Sequence, residues 1–261
     1  MDLMRATARL RAATYAVWEA EALAHGGEVA ERDGILAWRT GVPVRYWNGA
    51  HVTALPTRPA AALRWAARWF ADRATPYGVL VPVELEPALA AAAGASGLRL
   101  AALQRCMALE AADFTAPGDV PPGLDVRRTG PAEVEDFLEV QLDSFGLQQP
   151  EQARAFLAPP VGRPGWTHLT GYRDGRPVVT AIGVRTGDAV GVYGVGTTVA
   201  ARRRGYGAAL TAALLEAEFR AGATFAHLNP SELGAEVYRR LGFHEVGGFA
   251  IWLPASPEGS D

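Results

Sequence analysis

The sequence contains no lysine, a single cysteine and no long apolar run. Cys106 stands alone, so no internal disulfide can form and no cysteine cluster exists to hold a structural metal. A reducing, cytoplasmic setting is the expectation. No uninterrupted apolar stretch reaches the roughly 18 to 20 residues that a membrane-spanning helix needs, so no membrane association is expected. The opening Met1-Asp2-Leu3-Met4-Arg5 leads into Ala- and Glu-containing helical sequence and lacks the apolar core of a signal peptide. Charge of one sign is also missing: 25 basic residues face 28 acidic ones, a net charge of -3. That balance gives no sign of a polyanion-binding surface or an acidic disordered chain, and nucleic acid is not an expected partner. Every basic side chain is arginine, which with abundant alanine reflects base composition acting on codon choice and has no functional meaning.

What is present is enough chain, 261 residues, for two domains with separate cores. Asp113 to Gly123 gathers prolines and glycines that break helix and strand patterns, so the boundary is expected there. Beyond it the patterning predicts a strand at Leu124–Val126, a helix from Pro131 to about Phe145 and a short helix at Glu151–Leu157. An antiparallel meander should follow at Trp166–Tyr172, Pro177–Val184 and Ala189–Val199, turning at Asp174-Gly175 and Gly187-Asp188. Leu210, Leu214 and Ala217 opposite Glu216, Glu218 and Arg220 predict an amphipathic helix over Ala208–Ala221. Then come a buried strand at Thr224–Asn229, a helix capped by Ser231 and running to Leu241 along a Leu233–Val237–Leu241 stripe, a stop at Gly242, and a strand at Phe243–Leu253.

The first half repeats this order in weaker form. Strands are predicted at Gly34–Trp38, Val42–Trp47, His51–Leu55, Tyr77–Val83 and Leu103–Glu110, with helices at Pro59–Arg73 and Pro87–Ala95. Gly97-Leu98 precedes Cys106-Met107 by the interval at which Gly242-Phe243 precedes Ile251-Trp252. An internal duplication of one fold is expected.

Chemistry concentrates in Gly191 to Leu210, which reads as a strand, the basic turn Arg202-Arg203-Arg204-Gly205-Tyr206-Gly207, and a helix start at Ala208. Gly205 and Gly207 let main-chain amides approach a ligand closely, and the helix adds free N–H groups and the positive end of its dipole. Three arginines add charge-assisted hydrogen bonds suited to a diphosphate or ribose phosphate. Alone this turn is a weak signal. Downstream, Ser231 to Phe243 ends in Tyr238-x-x-x-Gly242-Phe243. With both motifs in order the sequence resembles the GNAT superfamily of N-acetyltransferases. Arg202, Gly205 and Gly207 match the family's (Gln/Arg)-x-x-Gly-x-(Gly/Ala) loop, and Ser231, Tyr238, Gly242 and Phe243 match the motif that follows it.

The resemblance spans about Leu124 to Pro254 and implies an α/β (α+β) fold of two GNAT-like domains, each a mixed, largely antiparallel sheet flanked by helices. It places a degenerate domain at 1–115, a linker at 116–123, a catalytic domain at 124–254 and a tail at 255–261. It further implies a sheet that splays between the strand ending near Val199 and the strand Thr224–Asn229, with the pantetheine arm of acetyl-CoA in the split. Main-chain groups of Thr197, Thr198 and Val199 would pair with that arm and orient the acetyl carbonyl. Arg202, Arg203, Arg204, Gly205, Tyr206, Gly207 and Ala208 would hold the pyrophosphate, with Ser231 nearby, and Tyr238 would protonate the departing thiolate.

The implied reaction is direct attack of a primary amine, on a small molecule, peptide or protein, upon the acetyl group of acetyl-CoA; no metal is called for. A general base is not identified: Ala189 to Val199 holds no carboxylate, and His168, His227, Glu232, Tyr193 and a water relay stay open, with His244 and Asp143 weaker. In the first half Ala54-Leu55-Pro56-Thr57-Arg58-Pro59-Ala60 replaces the glycine loop, so no cofactor is expected there, and this half is expected to cover the acceptor side or mediate association, for instance as a homodimer. A rival reading is a regulatory module that binds acyl-CoA without catalysis. A dinucleotide fingerprint at Gly194-x-Gly196 fails, because its third glycine is misplaced and the acidic residue is missing.

Overall fold

The computed structural model describes residues 2–117, 121–232 and 234–255. Part of the expected linker (118–120), Leu233 of the expected stripe and the tail from 256 onward lie outside the described residues. In chain order the elements are α1 (Leu3–Ala24), β1 (Glu28–Arg32), β2 (Ile35–Arg39), β3 (Asn48–Val52), α2 (Pro59–Ala71), β4 (Gly78–Pro82), α3 (Glu86–Ala95) and β5 (Leu98–Glu110). There follow β6 (Leu124–Arg128), α4 (Val134–Phe145), α5 (Pro150–Leu157), β7 (Trp166–Arg173), β8 (Arg176–Thr186), β9 (Ala189–Thr197), α6 (Tyr206–Arg220), β10 (Phe225–Leu228), α7 (Ala235–Arg240) and β11 (His244–Pro254). Compactness divides the chain elsewhere than the expected linker. A larger unit takes Met1–Val17 and Cys106–Val246, a smaller one Trp18–Arg105 and Gly247–Asp261.

In the larger unit the strand order is β5-β10-β9-β8-β7-β6. The strands β6 to β9 form an antiparallel meander, and the turns carry positive φ at Asp174 (51°), Gly175 (76°) and Gly187 (61°), as tight hairpins require. Leu210, Leu214 and Leu215 of α6 share a core with Leu169, Val190, Val192, Ala226 and Leu228. Side chains alternate along a strand; accordingly His168, next to Leu169, meets Phe137 of α4 edge to face at 5.3 Å, and the two helices cover opposite faces. β10 pairs in parallel with β9 only from Phe225↔Ala189 to His227↔Gly191, although β9 runs six residues further. Its other edge pairs antiparallel with Met107–Glu110 of β5. The segment after β5 is docked: Phe114 packs on this core, and Thr115 N–H bonds Leu241 O at 3.2 Å.

In the smaller unit the order is β1-β2-β3-β4-β11-β5. Here too antiparallel strands are followed by a parallel pair, Gly49–His51 with Gly78–Leu80. Leu63, Ala66, Trp69 and Phe70 of α2 pack on Ile35, Val52, Val79, Val81 and Trp252. β1 has no counterpart in the expectation: Glu28, Glu31 and Arg32 break its apolar pattern, as befits a charged strand at a sheet edge.

Three expected elements differ, the first being the strand expected at His51–Leu55, which is β3 at Asn48–Val52. Residues 42–47, expected as a strand, form bends and a short 3-10 turn at Arg45–Trp47. The buried Asn48 amide is the reason: it donates to Val42 O and Val44 O at 2.8 Å each and accepts Thr40 N–H at 2.9 Å, using up groups a ladder would need. The helix expected from Ser231 is the six-residue α7, because Gly234 N–H turns back to Ser231 Oγ (3.1 Å) and Ser231 O (3.0 Å). Gly242 ends α7 as expected, with φ of 98° and no room for a Cβ beside Asp113 O.

Candidate active site

The basic turn enters α6 through two left-handed residues, Arg203 (φ 63°) and Gly205 (φ 78°). The left-handed region suits glycine and is uncommon for a long side chain, so the backbone here is held in a special shape. Residues 202–205 are exposed, whereas Tyr206 is buried among core residues and anchors the start of the helix. The first helical bond runs from Ala209 N–H to Gly205 O at 3.0 Å. The amides of Tyr206, Gly207 and Ala208 precede it and have no acceptor in the helix. At Gly207 a Cβ would meet nothing closer than Thr197 Oγ1 at 3.7 Å, so the chain's own packing does not demand glycine there. Arg203 and Arg204 enter no ion pair among the described residues. Open amides, a helix N-terminus and two uncommitted guanidiniums fit an anionic diphosphate.

Arg202 does something else. Its Nε donates to Thr197 O at 3.3 Å and Nη2 to Ser144 O at 2.9 Å, so it ties the turn to the ends of β9 and α4. The other main-chain groups expected to meet the pantetheine arm also have partners. Thr198 N–H donates to Val178 O at 2.9 Å, and Val199 N–H to Asp143 Oδ2 at 2.7 Å. The carboxylate of Asp143, weighed as a weak base candidate, thus holds the strand end instead.

Tyr238 is half-buried on α7, its ring edge-on to Phe243 at 5.9 Å. Burial pushes its phenol up to about 12, so it stays protonated at neutral pH. Ser231 caps the turn before α7 as described above. Among the base candidates, Glu232 and His244 are exposed. His168 and His227 are buried, and desolvation lowers each to about 4. Tyr193 and His227 converge at the last rung of the β9–β10 ladder: a Cβ on Gly191 would lie 3.0 Å from Tyr193 Oη and 3.1 Å from His227 Nε2. Among the described residues His227 Nε2 has no hydrogen-bond partner. Burial favours the neutral form of both imidazoles, and geometry singles out no base.

Gln141 and Thr180 escaped the sequence reading. Gln141 is 3% exposed on the α4 face that buries Phe137, Leu138 and Val140. A polar residue four positions from Phe137 on an apolar stripe was the available signal.

Residues 125–246 match the family model described as "Acetyltransferase (GNAT) domain". No curated protein matches the chain. A GCN5-related N-acetyltransferase from Kribbella flavida is similar in structure, with TM-score 0.73, 23% identity, and coverage of 88% of this chain and 90% of that one. A GCN5-related N-acetyltransferase from Sphaerobacter thermophilus has TM-score 0.64 at 21% identity, covering 87% and 78%. A tandem GNAT protein from the clavulanic acid biosynthesis pathway has TM-score 0.60 at 19% identity, covering 86% and 79%. At these identities the structures speak for the fold. The family model's match lies in residues 125–246, and the neighbouring structures support a fold of that kind.

Proposed function

We propose that this protein is an acetyl-CoA-dependent N-acetyltransferase acting on a primary amine by direct transfer. The observation that carries the reading is the start of α6: three amides without helical acceptors, behind a left-handed glycine and flanked by two uncommitted arginines. When bound, acetyl-CoA supplies the thioester whose acyl carbon a neutral amine attacks, with the thiolate as leaving group. The α6 amides and Arg203 and Arg204 hold the diphosphate. Tyr238 donates its phenolic proton to the sulfur as the C–S bond breaks, and the amine's surplus proton leaves to solvent or a buried water. The smaller unit is a second, degenerate GNAT-like copy without cofactor. Its corresponding turn before α2 carries an internal anion: the Asp33 carboxylate accepts Thr57 N–H at 2.9 Å and Arg58 N–H at 3.1 Å. One buried cysteine and the absence, among the described residues, of a helix able to cross a membrane accord with a cytoplasmic protein.

The test is thermal stability with cofactor. Acetyl-CoA at about 100 times its dissociation constant should stabilise the fold by about 2.7 kcal/mol, and truncated analogues without the diphosphate should do less. An unchanged melting temperature with millimolar acetyl-CoA and CoA overturns the assignment. CoA binding without thiol release across an amine library would point to a binding module.

A further inference from the structure

The first half of β5 has a strand on one side only. Ala255 N–H donates to Gly97 O at 2.8 Å, and Gly248 has no room for a Cβ beside Gln104 O, so β11 runs antiparallel along residues 97–104. On the other side β10 meets β5 only at Met107–Glu110. Between Leu98 and Arg105 that edge therefore offers main-chain N–H and C=O groups, from alternate residues, that pair with no strand among the described residues. The residues Arg99 to Leu103 are all exposed, so both faces of the strand meet solvent here. Leu100 is 51% and Leu103 68% exposed.

Other sheet edges are guarded. β1 exposes Glu28, Glu31 and Arg32, and β6 exposes Asp125, Arg127 and Arg128, charges that discourage pairing with another chain. Leu98 to Leu103 instead reads Leu-Arg-Leu-Ala-Ala-Leu, with one charge and no proline. An apolar edge left so bare invites a strand to cover it. This one is complementary to itself. When two identical strands pair antiparallel about a two-fold axis normal to the sheet, one residue lies opposite its own copy. With Ala101 on the axis, Leu100 lies opposite Ala102 and Arg99 opposite Leu103, so no like charges meet and the arginine methylenes can cover the leucine. With Ala102 on the axis, Arg99 would lie opposite Arg105, a repulsive pair. An axis at Leu100 or Leu103 shortens the ladder, because Gly97 (φ 72°) ends the strand on one side and β10 begins on the other. We propose that this edge is a homodimer interface in which β5 of two copies pair antiparallel over Leu98–Gln104 with Ala101 on the axis. It shares no residue with the acyl-transfer site and stands apart from that reading.

The test follows the mass of the full chain by analytical ultracentrifugation over a concentration series. The parent should pass from monomer to dimer as concentration rises. Ala101→Glu and Ala101→Arg each set like charges against their own copy and should weaken the dimer about tenfold or more. Mixed in equal amounts, the two variants should associate again, because opposite charges then meet. Both changes fall at an exposed position, and an unchanged melting temperature checks that each variant is folded. Ala101→Cys reads the register. Cys106 is buried, so the added thiol is the reactive one, and opposite its own copy it should form an intermolecular disulfide under mild oxidation. Leu103→Cys should not, since its copy lies four residues along the ladder, about 14 Å away. A parent that stays monomeric at every concentration, or Ala101 variants that dimerise as the parent does, overturns the proposal. A cross-link at residue 103 in place of 101 overturns the pairing.

Discussion

Burial keeps the phenol of Tyr238 protonated well beyond neutral pH, up to about 12, which suits a proton donor to a thiolate. Replacing Tyr238 with Phe keeps the ring and its contact with Phe243 but removes the proton. Turnover should fall about 100-fold with KM for acetyl-CoA unchanged, read under conditions where chemistry limits the rate. An unchanged kcat would leave Tyr238 a packing residue. Gly205 is exposed to a different test. At φ of 78° a β-branched side chain costs on the order of 1 to 3 kcal/mol, so Gly205→Val should distort the turn and raise KM for acetyl-CoA about tenfold or more, a loss of roughly 1.4 kcal/mol in affinity. Intact CoA affinity in that variant would remove the turn from the site. At this scale the sequence marks Arg202 to Gly207 and Tyr238 to Phe243 by local pattern. The partners of those groups carry no such mark. Asp143 reaches Val199 and Gln141 reaches Gly194 across more than 50 positions, and no local pattern encodes such pairs.

Elements were most legible where one face is buried and the period is clean. The meander β7–β9 and helices α2, α4 and α6 stand within a few residues of expectation, because alternation and the helical stripe come from the core itself. Side chains that bond backbone defeated the pattern at 42–47, where Asn48 gathers the carbonyls, and at α7, where Ser231 gathers the amides. Asp33 shows the same device at the start of α2. Two backbone amides, Thr57 first and then Arg58, lower its carboxyl below the ordinary carboxylate range. The folded state thus favours the ionised form. That contribution is present above the ordinary carboxylate pKa and is lost as pH falls through the lowered folded value. Asp33→Asn keeps a side chain that tolerates the left-handed turn at φ 46° but removes the charge. Its melting temperature should lie below that of the parent at pH 7, and the gap should close in acid. A gap independent of pH would show that the carboxylate's charge is not what holds the α2 turn.

Across the whole molecule, pairing partners were the least legible feature, since a strand's pattern reports which face is buried and not which neighbour it takes. β5 follows the elements of the smaller unit, yet its end, Met107–Glu110, pairs with β10 in the larger. β11 follows the elements of the larger unit, yet Phe249–Trp252 pair with Val79–Pro82 in the smaller. A fragment ending at residue 115 therefore lacks a strand of its own sheet, and cofactor binding by the smaller unit is to be measured in the full chain. The same exchange makes a direct prediction for a chain ending at Val246. It loses Phe249, Ala250 and Trp252, all no more than 2% exposed. Truncating one such aromatic costs about 3 to 5 kcal/mol, and losing two approaches the roughly 5 to 15 kcal/mol that holds a whole domain folded. Amides of β4 should lose their protection from hydrogen exchange, while those of β7 and β8, whose ladder and α6 core contain no residue beyond Val246, keep theirs. Persistent protection of Val79 to Val81 after the truncation would show that the smaller unit holds its sheet without the C-terminal strand, and that the exchange is dispensable for its stability.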